Sequence, residues 1–67
     1  MSITEREIWA CAHEILRRYG DAASFHAAHR ADELLEKSDI PGQRIWLRIL
    51  RCIEQLENQV PTSDPLN

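Results

Sequence analysis

The sequence predicts an all-α fold, a compact three-helix bundle with short connections and a flexible C-terminal tail. Three observations predict it. Apolar residues recur at three- and four-residue steps in three successive segments. Residues that start and stop helices stand at the joints between the segments. No stretch alternates apolar and polar residues as a half-buried strand would. A chain of 67 residues makes one domain. It is placed over residues 1–60, with helices at about 4–19, 22–37 and 40–58, and the tail at 61–67.

The first helix opens at Ser2 or Thr4, each followed three residues later by a glutamate, Glu5 or Glu7, in the pattern of a capping box. Ile8, Cys11, Ala12, Ile15 and Tyr19 form its apolar stripe, widened by Trp9 and Leu16, while Arg6, Glu7, His13, Glu14, Arg17 and Arg18 take the other face. Gly20 supplies the left-handed residue that commonly ends a helix, and Asp21 directly after it is a good N-cap for the next. So short a connection predicts that helices one and two pack as neighbours.

The second helix presents Ala23, Ala27, Ala28 and Ala31, then Leu34 and Leu35, with Phe25 at the edge. Small side chains let helix backbones approach closely, although alanine also simply favours helix. Asp39 caps the third helix, whose first turn holds Pro41, where a missing N–H does no harm, and Gly42, which weakens helix locally. That helix is the most strongly patterned, with Ile45, Trp46, Ile49, Leu50, Cys52, Ile53, Leu56 and Val60 along one wide stripe. Leu47 falls outside the stripe and is expected at the surface. The final Pro61-Thr62-Ser63-Asp64-Pro65-Leu66-Asn67 has no periodicity and reads as a flexible tail.

Composition narrows the function classes. Eight basic against eleven acidic residues give a net charge of −3, which disfavours a general phosphate-binding surface, although seven of the eight basic residues are arginine. No apolar run approaches the roughly 18 residues that span a bilayer, and the N-terminus lacks the basic and apolar regions of a secretory signal. The expected location is therefore cytoplasmic, with no membrane partner. Cys11 and Cys52 fall short of a disulfide framework and are expected as thiols.

The motif Ile8-Trp9-Ala10-Cys11-Ala12, closed by Tyr19-Gly20, resembles a family of short, mainly alphaproteobacterial proteins classed as a domain of unknown function. The likeness continues through Phe25, Arg30, Leu34, Asp39, Gly42, Trp46, Ile49 and Leu56, and covers roughly Glu5 to Glu57. The resemblance implies a compact helical domain of the bacterial cytoplasm with no assigned activity. The family pattern has no histidine at the positions of His26 and His29.

Three constellations carry possible chemistry. His26, His29 and Glu33 fall within about 60° on one helical face, and two imidazoles with a carboxylate suit a divalent metal such as zinc. Histidines at i and i+3 arise by chance on many surface helices, and ordinary surface histidines are the expected reading. Arg44, Arg48 and Arg51 make a cationic strip on helix three that can grip phosphate or a partner's carboxylates, or can be neutralised by acids of a neighbouring helix. A helix-turn-helix use of that strip is disfavoured by Pro41 and Gly42 at the helix start and by the acidic chain, so nucleic acid is not the expected partner. Trp9 and Leu16, with Leu47, make a candidate apolar contact patch beside the strip.

Cys11 and Cys52 lie on apolar stripes, and His13 is about 160° around the helix from Cys11, so it is not placed to act as its base. There is no glycine-rich phosphate loop, no G-x-S-x-G elbow and no H-E-x-x-H pair. The sequence thus predicts a non-enzymatic interaction module without a cofactor. Its expected partner is another protein or a second copy, because a chain this short gains stability by covering an apolar edge. Metal binding at His26, His29 and Glu33, and phosphate or nucleic-acid binding at Arg44, Arg48 and Arg51, are the alternatives.

Overall fold

The computed structural model describes residues 3–59, of which 91% are helical, and no strand occurs among them. Helix α1 runs Glu5–Tyr19, α2 Ala23–Glu36 and α3 Ile40–Gln59, with a 3-10 turn, Gly20–Ala22, between the first two. Val60 and the expected tail at 61–67 lie outside the described residues.

Of the two overlapping capping boxes, the one at Thr4 forms. The Glu7 amide donates to Thr4 Oγ1 at 3.2 Å, and the Thr4 amide donates to Glu7 Oε1 at 2.9 Å. Ser2, the other candidate, lies outside the described residues. Gly20 ends α1 with the positive φ expected of it, 56°, but with ψ −123° in place of the left-handed helical value, and nothing lies within 4 Å of where a Cβ would stand. Its role is conformational, not one of close approach.

Asp21 does not cap α2. The chain tightens into the 3-10 turn after Gly20, which carries Asp21 inside that turn, and the residue before α2 is Ala22, which makes no side-chain cap hydrogen bond. A second expectation also changes. Helices α1 and α2, although joined by only three residues, touch each other least, because both pack principally on α3. The short joint fixes how far apart the helix ends lie but not the angle between the axes, and burial on the wide stripe of α3 decides that angle.

The α2–α3 joint is a hairpin turn built from backbone bonds. The Asp39 amide donates to the Leu34 carbonyl at 2.8 Å, and the Ser38 amide to the Leu35 carbonyl at 3.0 Å. This is a Schellman pair, and it places Ser38 at φ 62°, a position that glycine usually fills. Asp39 then turns its carboxylate to the start of α3, where Oδ1 accepts from the Gly42 amide at 3.1 Å. A Cβ on Gly42 would stand 2.8 Å from Asp39 Oδ2, so the glycine that weakens helix propensity is what admits the cap. At the far end Ser24 Oγ bonds Glu57 Oε1 at 3.2 Å, so α3 runs back along α2.

The core is thin. Ile8, Ala12 and Ile15 of α1 meet Ala23 and Ala27 of α2 and Ile49, Cys52 and Ile53 of α3. Among the described residues only Ile8 and Ile53 are large side chains with less than 2% exposure. Trp9, Cys11, Leu16, Ile45, Trp46, Leu50 and Leu56 pack half-buried around this centre. The alanine row thus serves close packing, as its spacing allows. Leu35, expected on the apolar face of α2, is exposed, and so are Tyr19 and Phe25, the latter at 77%. No helix among the described residues is long and apolar enough to cross a membrane.

Candidate functional site

Helix α3 carries Arg44, Arg48 and Arg51 on its solvent side, all exposed. Arg48 Nη2 lies 3.8 Å from Glu5 Oε1 of α1, the weak neutralisation by a neighbouring helix that the sequence admitted. Between these helices opens a shallow groove of about 150 Å³ lined by Glu5, Ile8, Trp9, Arg48, Arg51, Cys52 and Gln55. It combines two guanidinium groups, one carboxylate and the edge of an indole, all reachable from solvent.

The structure divides the expected apolar patch. Trp9 and Leu16 lie half-buried against the core, which takes up much of their apolar surface. Leu47 is 41% exposed. It stands two residues before buried Ile49, hence about 160° around α3 from it, on the side of the helix turned away from the shared core.

The three residues of the candidate metal site do not converge. His26 is drawn into an aromatic stack on Tyr19, with ring centroids 4.2 Å apart and planes 15° from parallel. His29 Nε2 lies 3.4 Å from Glu33 Oε2, and Glu33 Oε1 accepts from Arg30 at 2.9 Å. Among the described residues no three histidine, cysteine, aspartate or glutamate side chains are placed to hold a metal ion together. The helical spacing brings the three positions to one face. The His26 ring instead lies against aromatic partners on α1 and α3.

That partner belongs to a cluster that sequence reasoning missed. The His26 ring also meets Trp46 edge-on at 5.9 Å, and the Arg30 guanidinium lies 5.7 Å from the Trp46 centroid, within cation–π range. Tyr19, His26, Arg30 and Trp46 come from three different helices, so no local spacing in the chain announces them. Phe25 adds a parallel, looser stack with His29 at 6.5 Å.

Both cysteines are free. Burial pushes the Cys52 thiol above its ordinary pKa, and the nearby Glu5 carboxylate adds to the shift. The Glu14 carboxyl is held below its ordinary value by hydrogen bonds from Arg17 and Arg18, at 2.7 and 2.9 Å. It is a surface pairing on one helix face, remote from the groove residues. No polar or charged residue is buried among those described. Comparison with protein-family models, with curated proteins and with solved structures gives no match.

Proposed function

We propose that this chain is a small non-enzymatic interaction module that associates with itself in the cytoplasm. One observation carries the proposal. Among the described residues two large side chains are fully buried, Ile8 and Ile53, whereas five large apolar side chains, Tyr19, Phe25, Leu35, Ile40 and Leu47, are 41% to 77% exposed. A chain of this length has little core to spare, and apolar surface left in water is stabilising only once a partner covers it. The surface suits contact more than chemistry. A catalytic acid or base with a usefully shifted pKa generally needs a desolvated setting, and the charged groups here stand in water. Thiols at Cys11 and Cys52 suit a reducing compartment. Membership of the alphaproteobacterial family that the Ile8–Ala12 motif resembles is part of the same proposal.

The test is solution mass by light scattering over about a hundredfold range of concentration, with Leu47→Asp and Leu16→Asp alongside. The native chain is expected as a dimer at the upper end, with Leu47→Asp shifted towards monomer and still folded. Leu16 is half-buried, so Leu16→Asp is expected to loosen the fold as well. A native monomer at every concentration overturns self-association.

A further inference from the structure

We propose that the second copy docks on the face of the α2–α3 hairpin opposite α1, with α2 of each chain lying over α3 of the other. This rests on the self-association proposed above and names its surface and pairing.

Helix geometry identifies the face. His26 turns towards α1, where it stacks on Tyr19. Leu35 is nine residues further along α2, about 180° around the helix, and so points away from the side on which His26 meets Tyr19 of α1 and Trp46 of α3. On α3, Leu47 is about 160° from Ile49, which packs in the cluster shared with α1. Ile40 is one heptad before Leu47 and shares its side of the helix. Three of the five exposed large apolar side chains, Leu35, Ile40 and Leu47, therefore stand together on a hairpin face that α1 leaves uncovered. Two such faces brought together make a four-helix layer.

Charge selects the occupant and the pairing. Glu36 is nine residues from buried Ala27, and Arg44 nine from buried Ile53, so each lies at the outer side of its own helix. With Asp32 the first gives the hairpin an acidic edge along α2, and Arg44 with Arg51, which also borders the α1–α3 groove, gives a cationic edge along α3; Glu54, one heptad after Leu47, adds a single carboxylate on the α3 side, away from the turn. None of Asp32, Glu36, Arg44 and Arg51 forms an ion pair with the described residues, whereas Glu14, Glu33 and Glu5 all do. A twofold axis parallel to the helices lays α2 over the partner's α3, and each acidic edge then meets a cationic one. It also superimposes the two turn ends, where Glu36 and Arg44 both lie. An axis across the helices sets acid on acid and arginine on arginine, which is repulsive. A second copy is thus complementary to this face in one orientation only.

Charge reversal tests the pairing without touching the core. One variant reverses the acidic edge, Asp32→Lys with Glu36→Lys, and the other reverses the basic edge, Arg44→Glu with Arg51→Glu. All four side chains are exposed, so circular dichroism should report an unchanged fold. Each variant alone is expected to dimerise on the order of tenfold or more weakly than the native chain by sedimentation. An equimolar mixture of the two is expected to form a mixed dimer at least as tight as the native one, because both edge contacts become attractive. If the native chain dimerises and both variants dimerise equally well, this face and pairing are overturned while self-association stands. If the variants weaken and the mixture does not recover, the edge-to-edge contact is overturned. A native chain that stays monomeric overturns both this inference and the proposal beneath it.

Discussion

Ser38 joins the two helices of the candidate docking hairpin, and its backbone offers a sharp test of the fold. It is the one non-glycine residue among those described with positive φ, at 62°, and its amide is committed to the Leu35 carbonyl. An L-residue there brings Cβ close to the following carbonyl, at roughly 1–2 kcal/mol. Glycine removes that strain but adds freedom to the unfolded chain, which takes back part of the gain. The Ser38 side chain is exposed and makes no hydrogen bond among those described, so nothing else is lost. Ser38→Gly is therefore expected to stabilise the protein by about 0.5–1 kcal/mol. For a domain of this size that raises Tm by roughly 2–8 °C. The assay is thermal unfolding followed by circular dichroism, at one fixed protein concentration because self-association also shifts Tm. A Tm equal to or below the native value refutes the strain assigned to this turn.

Gly20→Ala is the converse case: it forces a Cβ onto a positive-φ backbone outside the left-handed helical well, with open space around it, and should destabilise by about 1–3 kcal/mol in the same melts, whereas an unchanged Tm would show that the turn can reshape. Ile53→Ala removes one of the two large fully buried side chains and should cost about 2–5 kcal/mol, enough to unfold much of so small a domain at 25 °C; a Tm drop of only a degree or two would mean that the core is larger than it looks. The Glu14 carboxyl, its pKa depressed by Arg17 and Arg18, stabilises the fold above the ordinary glutamate range, and that contribution fades as pH falls through its folded pKa. NMR titration should find its midpoint below that of a model glutamate, and should find it raised in Arg17→Ala; a midpoint unmoved by the substitution would exclude the arginine as cause. Cys52, buried and with its thiol pKa raised, should react with a disulfide reagent at neutral pH more slowly than half-buried Cys11, and equal rates would contradict its burial.

Sequence alone determined the helical class, the helix limits to within a residue or two, and the core stripe. Thr4, Gly20, Asp39 and the three- and four-residue steps of Ile8, Ala12, Ile15, Ile49 and Ile53 are local signals, and helix formation depends chiefly on neighbours within a turn or two. Leu47 was legible as exposed for the same reason, since its angle around α3 follows from its number. Tertiary structure decided which helices meet. A three-residue joint leaves the angle between axes free, so the packing of α1 on α3 in preference to α2 came from burial, not from chain connection. The 3-10 turn also took Asp21 out of the cap position before α2 begins. Side-chain partnerships across helices were likewise beyond local pattern. His26 turned from the candidate metal face to Tyr19 and Trp46, and Leu35 left the core for the surface, because each depends on what stands opposite in space. Periodicity fixes the direction of a side chain around its own axis; only packing between axes determines whether that direction meets protein or water.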